Sequence, residues 1–296
     1  MQEGKIVKAA GGFFSVRDTA TDEYICRARG MLKRDKASLM VGDLVLFDVV
    51  ENAAGGDPGE GVIEKLLPRT NRLKRPPVAN VEQLVVVMSL KHPECDWQLI
   101  SRLMVIAEQE ELAALLCLNK IDLLAEPDLS ALDKLLKPYP YPVILTSAVN
   151  GAGIEALKDK LRGSCSVFAG PSGVGKSSLL NAIQPGLSLQ TGEVSEKIKR
   201  GRHTTRQAEL LSLDNGGTVV DTPGFSRLDF FTIEPDRLAH HFPEFESLRG
   251  NCGFRDCRHI SETDCAVRNE IGKTVNPMRY EHYCYFAREL EKQEAF

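Results

Sequence analysis

From residue 1 to about 67, apolar residues come in short alternating runs cut by glycine turns: KIVKA, GGFFSVRD, EYICRARG, DLVLFDVV and GVIEKLL. A period of two puts one row of side chains inside a sheet and one outside, and five such strands in so short a stretch predict a small barrel. An oligonucleotide-binding (OB) type barrel leads among the small barrels that share this pattern. PRTNRLKRPP follows, and its basic residues and closing prolines read as a linker between domains.

From Val81 the period changes. Apolar strands now alternate with helical segments: VEQLVVVMSL, WQLISRLMVIAEQ, LAALLCLNK, LSALDKLLK, YPVILTSA, IEALKDKL, CSVFAG and KSSLLNAI. This alternation predicts a mainly parallel sheet with helices on both faces. TTRQAELLSLDNGGTVVDTPG then reads as a hairpin turning at Asn215, Gly216 and Gly217. After Phe230 come short helices, a cysteine-rich loop and a last helix from about Met278 to Glu291.

Composition narrows the class. The chain has 296 residues, 43% hydrophobic and 26% charged, which is the range of folded globular proteins and is long enough for two or three domains. The longest apolar run, Leu112 to Leu118, is far short of a membrane span, and the first residues carry no secretory pattern, so a cytoplasmic protein with no membrane partner is expected. Its eight cysteines are then expected reduced, for metal binding, catalysis or packing. A net charge of −4 argues against a general polyanion binder. Two local basic patches stand out against it: Arg69, Arg72, Lys74 and Arg75, then Lys197, Lys199, Arg200, Arg202 and Arg206.

The chemistry begins at GPSGVGKS, which is Gly170, Pro171, Ser172, Gly173, Val174, Gly175, Lys176 and Ser177, followed by Ser178. It fits G-x-x-x-x-G-K-[ST] and lies between a predicted strand and a predicted helix, where that motif works. Glycines let backbone N–H groups face a phosphate chain at a helix N-terminus, Lys176 reaches the β and γ phosphates, and Ser177 offers a hydroxyl to Mg²⁺. NKID, with Asn119, Lys120 and Asp122, ends the strand LAALLCL. A carboxylate there can accept from guanine N1–H and the exocyclic amine, for which adenine has no equivalent pair. Asn119 would fix the loop and Lys120 would cover the ring. Thr146, Ser147 and Ala148 end another strand, where the Ala148 N–H can meet guanine O6. Asp221, in DTPG, is placed to hold Mg²⁺ through water, and Gly224 to sense the γ-phosphate. In GRHTT, Thr205, or Thr204 beside it, is the threonine that closes over Mg²⁺. GTP is the nucleotide these parts select.

Their order is unusual, because NKID precedes the phosphate loop whereas most GTPases place it near the end. The domain therefore reads as circularly permuted, with its new ends between DTPG and NKID, a rearrangement tolerated when termini lie close together.

With barrel, permuted GTPase domain and cysteine-rich tail in this order, and with GPSGVGKS, GRHTT and DTPGF as they stand, the chain resembles over essentially its whole length the RsgA (YjeQ/YloQ) family of bacterial ribosome-assembly GTPases. The resemblance implies GTP hydrolysis to GDP and phosphate, stimulated by the small ribosomal subunit during its late maturation. Cys252, Cys257, His259 and Cys265, spaced C-x₄-C-x-H-x₅-C, are similar to the family's zinc site, a closed structural site with one ion per chain. The position after DTPG, where many GTPases carry a water-orienting Gln, is Phe225, whose ring cannot do this. The resemblance suggests His203 for that role. Cys284 is expected in helix core, like Cys26, Cys95, Cys117 and Cys165.

The expectation is thus a multidomain protein: an OB-like β-barrel that binds RNA over 1–70, a circularly permuted α/β P-loop GTPase domain over 71–230, and an α-helical zinc-binding domain over 231–296. It is expected to act as a monomer on the small subunit and its rRNA. A permuted GTPase of another ribonucleoprotein, or a GTP-dependent RNA-binding checkpoint, are the other readings.

Overall fold

The computed structural model describes residues 1–30, 39–50, 59–73, 77–137, 139–187, 189, 208–221 and 233–294. Strands β1 (Gln2–Ala10), β2 (Phe13–Asp18), β3 (Glu23–Ala28), β4 (Leu44–Val50) and β5 (Gly59–Leu66) close a barrel in the order β1-β2-β3-β5-β4-β1. All pairs are antiparallel except β3 with β5. The alternation read from the sequence buries Ile6, Val16, Cys26, Val45, Phe47 and Ile63 in one small core. So narrow a barrel needs glycine where strands crowd: a Cβ on Gly61 would sit 2.7 Å from Cys26 Sγ.

The segment expected to be a linker is anchored to the barrel on both sides of residues 74–76. Arg69 donates from Nε to Asp43 Oδ1 at 2.6 Å and from Nη2 to Asp43 Oδ2 at 2.8 Å, and Asp43 is fully buried. Strands β6 (Arg72–Leu73) and β7 (Val78–Ala79) pair with each other, and Asn80 Nδ2 donates to Gly42 O at 2.8 Å. A buried carboxylate needs a cation, and Arg69 supplies it, so this part of the first basic patch is structural.

The second unit is the predicted α/β layer structure. Strands β8 (Gln83–Ser89), β9 (Ala113–Asn119), β10 (Val143–Leu145), β11 (Cys165–Ala169), β12 (Glu209–Ser212) and β13 (Thr218–Asp221) take the order β10-β9-β8-β11-β13-β12. All run parallel except β12, which forms the expected hairpin with β13 around Asn215–Gly217. Helices α1 (Trp97–Gln109), α2 (Glu126–Leu136), α3 (Ile154–Lys160) and α4 (Lys176–Ile183) connect them. One pairing, Lys8 with Glu209, joins the barrel to this sheet.

Helix α1 explains its own sequence. Its apolar residues do not form one stripe, because it lies between two cores: Ile100, Leu103, Met104 and Ala107 pack on the sheet, while Val105 and Ile106 pack on the C-terminal unit. That unit holds short 3₁₀ turns, α5 (Glu246–Arg249), α6 (Ala266–Asn269) and the long α7 (Pro277–Glu294) around Phe242, Phe245, Tyr283 and Phe286. No helix among the described residues is long and apolar enough to cross a membrane.

Candidate nucleotide and metal sites

In a parallel sheet, ligands bind beyond the carboxyl ends of the strands. There β11 ends at Ala169 and the phosphate loop begins. Gly170, Gly173 and Gly175 have φ of 148°, 82° and 98°, backbone that side chains disfavour. A Cβ on Gly170 would run into the Val87 carbonyl, and one on Gly175 into Asn119 Nδ2, so the loop is glycine-rich for reasons of space as well. Val174 is buried under the loop, whereas Ser172 and Gly173 are exposed. Lys176, Ser177 and Ser178 form the first turn of α4, whose N–H groups have no partner within the helix. Lys176 Nζ donates to Gly170 O and Pro171 O, each at 2.8 Å, and burial pushes its pKa down.

The loops read as guanine-specific converge on the same edge. Asn119 is buried at the end of β9, where its Nδ2 donates to Val174 O at 2.9 Å and its Oδ1 accepts from Thr146 Oγ1 at 3.3 Å and Ala148 N at 3.4 Å. One side chain therefore ties the phosphate loop to both base-side loops. Lys120 has a left-handed backbone, φ 65°, and its Nζ donates to Gly173 O at 2.6 Å and to His92 O. Asp122 accepts at Oδ1 from Ser147 Oγ at 2.5 Å, and Ser147 Oγ accepts in turn from the N–H groups of Val149 and Asn150. The predicted base-side residues thus fall into three hydrogen-bonded sets at this edge, around Asn119, Lys120 and Asp122. The His92 carbonyl, which the sequence reading missed, is reached by Lys120 through a loop with no motif of its own.

Asp221 is the last residue of β13, which runs beside β11 with Val220 opposite Val167, so both strands end at the phosphate-loop edge. His203, Thr204, Thr205 and Gly224 lie outside the described residues, as do Phe225 and the basic residues from Lys197 to Arg206.

In the C-terminal unit, ligand atoms of Cys252, Cys257, His259 and Cys265 all lie within 4.8 Å of one another. His259 is buried with a left-handed backbone, φ 60°, and its Nδ1 is 3.5 Å from Cys252 Sγ, 3.4 Å from Cys257 Sγ and 3.4 Å from Cys265 Sγ. The Glu262 carboxylate fixes the loop by accepting from Arg258 N, Ile260 N and Ser261 N at 2.7, 2.9 and 3.0 Å. The hydroxyl of Tyr280 on α7 donates to His259 O at 2.8 Å. Burial lowers the His259 pKa, favouring the neutral ring that ligates metals, and burial with neighbouring thiols raises that of Cys257. Four N and S donors gathered in this way can hold a metal ion. The five remaining cysteines beyond the cluster that were expected in cores divide: Cys26, Cys117 and Cys165 are buried, Cys95 is half-buried, and Cys284 is half-buried against the C-terminal core.

Fold and site together define a P-loop nucleotide-binding protein with a permuted strand order. Residues 66–231 match the RsgA GTPase family model and residues 3–56 the RsgA N-terminal domain model. The small ribosomal subunit biogenesis GTPase RsgA of Moorella thermoacetica is 47% identical over 99% of this chain and 98% of its own length. That of Thermotoga maritima is 44% identical over 98% and 97%. Among solved structures, YjeQ from Thermotoga maritima superposes with a TM-score of 0.85 at 40% identity, covering 98% of each chain. YloQ, a circularly permuted GTPase, gives 0.82 at 35% identity, covering 99% of this chain and 96% of its own. The chain belongs to the RsgA GTPase family and is a GTP hydrolase with a circularly permuted catalytic domain.

Proposed function

We propose that this GTPase acts in the cytoplasm on the small ribosomal subunit and couples GTP hydrolysis to late maturation of that particle; the names of its relatives give small ribosomal subunit biogenesis as their role. The observation that carries the nucleotide assignment is Asn119, whose amide joins the phosphate loop at Val174 O to Thr146 and Ala148. On this reading Asp122 pairs with guanine N1–H and the 2-amino group, the Ala148 N–H meets O6, and Lys120 covers the ring. Gly170 to Gly175 and Ser178 surround the phosphates, and Lys176 neutralises charge that builds up as the γ-phosphate departs.

Ser177 and Thr205, or Thr204, would hold Mg²⁺ directly, with Asp221 through water; the ion supplies charge neutralisation on the β and γ phosphates. Gly224 would sense the γ-phosphate, and His203 would orient water once the basic loop around it docks on RNA. The barrel over 1–70 and the C-terminal unit over 231–296 contact rRNA, flanking the catalytic domain over 71–230.

Zinc is the ion we assign to Cys252, Cys257, His259 and Cys265. Tetrahedral geometry with Zn–S of about 2.3 Å and Zn–N of about 2.0–2.1 Å puts N and S roughly 3.5 Å apart. The separations of 3.4 and 3.5 Å at His259 agree with this. With four protein donors the site has no open position, so its role is structural.

The test is binding to purified small subunits with a non-hydrolysable GTP analogue, run beside hydrolysis for the wild type and His203→Ala. Retention on small but not large subunits is expected, with His203→Ala bound normally but losing most of the stimulated rate. Absence of retention would refute the partner. Full stimulation of the bound variant would remove His203 from the mechanism.

A further inference from the structure

The chain between the two base-side loops runs from Asn119–Asp122 through α2 to β10 and then Thr146–Ala148. Strand β10 is only three residues long and lies at the edge of the sheet, paired with β9 alone. So short a ladder fixes its position weakly, because a strand normally draws on two neighbours and five or six residues.

The C-terminal unit grips this stretch at two points. Asn276 Nδ2 donates to Leu135 O near the end of α2 at 3.1 Å. Three residues on, the guanidinium of Arg279 is fully buried and paired with Glu244, Nε to Oε1 at 2.5 Å and Nη2 to Oε2 at 3.2 Å. It lies against the rings of Tyr139 and Tyr141 at 5.5 and 5.1 Å, with Phe242 of its own unit at 4.9 Å. Tyr141 adjoins Pro142, whose carbonyl accepts from Leu116 N at 3.0 Å where β10 begins. Asn276 Oδ1 also accepts from Arg279 N at 3.2 Å, linking the two grips. Behind them α7 is seated on α1 through Ser101 Oγ and His282 Nδ1 at 2.8 Å and through Arg102 and Glu289 at 2.7 Å.

Adhesion alone does not call for this arrangement, since apolar residues of similar volume usually bury at no greater cost than an ion pair. A planar cation held in a fork by Glu244 and faced by two rings sets direction and register. We propose that the C-terminal unit positions the guanine-reading loops, with Arg279 as the positioning residue acting through Tyr139 and Tyr141. A partner that displaces the unit then loosens the base-side loops and speeds nucleotide release. Coupling is reciprocal, so bound guanine nucleotide also steadies α7. The inference rests on the assignment of Asn119–Asp122 and Thr146–Ala148 to guanine.

The test uses the full chain carrying Arg279→Met with Glu244→Gln, a pair that leaves no unpartnered buried charge. With metal content and thermal unfolding as in the wild type, GDP is expected to dissociate about tenfold faster, within the usual range of coupling between sites. Preference for GDP over ADP should fall by a similar factor, a change that a purely structural role would not produce. Asp122→Ala is assayed alongside: if it keeps the guanine preference, the base-side assignment has failed rather than the clasp. A folded double variant with wild-type GDP release and selectivity overturns the proposal. Hydrogen exchange on the wild type needs no variant to fold. Added GDP should slow exchange over 277–290 as well as in the phosphate loop, and protection confined to the phosphate loop overturns the proposal equally.

Discussion

At the nucleotide site the side chains proposed to meet ligand also have partners in the protein. Lys176 donates to Gly170 and Pro171, Lys120 to Gly173, and Asn119 to Val174; Asn119 ends β9, Lys120 follows it and Lys176 opens α4, elements that pack into the largest core. At the cysteine–histidine cluster the donors face mainly one another, His259 Nδ1 lying 3.4 to 3.5 Å from three sulfurs in a loop with little regular structure. The described part of the first site takes its shape from sheet and backbone. The second crowds four ligating groups that would gain little from crowding unless an ion joined them.

Removing the metal should therefore have the largest effect. Structural zinc supplies on the order of 10 kcal/mol of folding energy in small domains, and Cys257→Ala or a strong chelator is expected to release the ion and expose residues 252–265 to fast hydrogen exchange. Metal analysis giving no zinc in protein purified without chelators, or an unchanged exchange pattern after its removal, would break the contrast.

Lys176→Ala addresses the other side. The loop is held by Asn119 and by glycine backbone, so fold and metal content should persist while hydrolysis falls by about 10³ or more, roughly 4 kcal/mol of lost transition-state stabilisation. If the variant unfolds instead, the phosphate loop depends on its lysine for its shape. Near-normal turnover would show that Lys176 does not act on the phosphates.

Asp122→Asn should produce the smallest change. Loss of charge-assisted hydrogen bonds to guanine costs about 1.5 to 3 kcal/mol, so GTP affinity should drop by about tenfold or more, with a gain for xanthosine triphosphate, whose base presents the complementary acceptor. Unchanged nucleotide preference in equilibrium binding would mean that the base is read elsewhere.

What could be read from the sequence was what is local in it. GPSGVGKS, NKID and the NGG hairpin carry their geometry in consecutive residues, and the change from two-residue alternation to strand–helix alternation marks the passage from barrel to sheet. The metal-ligand set was legible from its spacing and from the family resemblance. Contacts made across the chain were not. Arg69 looked like part of a basic linker because its partner Asp43 lies 26 residues earlier. Arg279 meets Glu244, Tyr139 and Tyr141, none near it in sequence, so nothing in RYEHYCYF announces that one arginine of the last helix is wholly buried. The apolar character of WQLISRLMVIAEQ did signal burial, but not that two separate cores divide the helix between them.

The central claim is that this GTPase is switched by the small ribosomal subunit, and the most direct measurement is its GTP hydrolysis rate alone, with purified small subunits and with purified large subunits. A slow intrinsic rate is expected, because Phe225 stands where a water-orienting glutamine would be. Small subunits should raise that rate, within the range of about 10³ to 10⁵ known for partner-completed GTPase sites, and large subunits should leave it unchanged. A fast intrinsic rate, or equal acceleration by both subunits, would contradict the account.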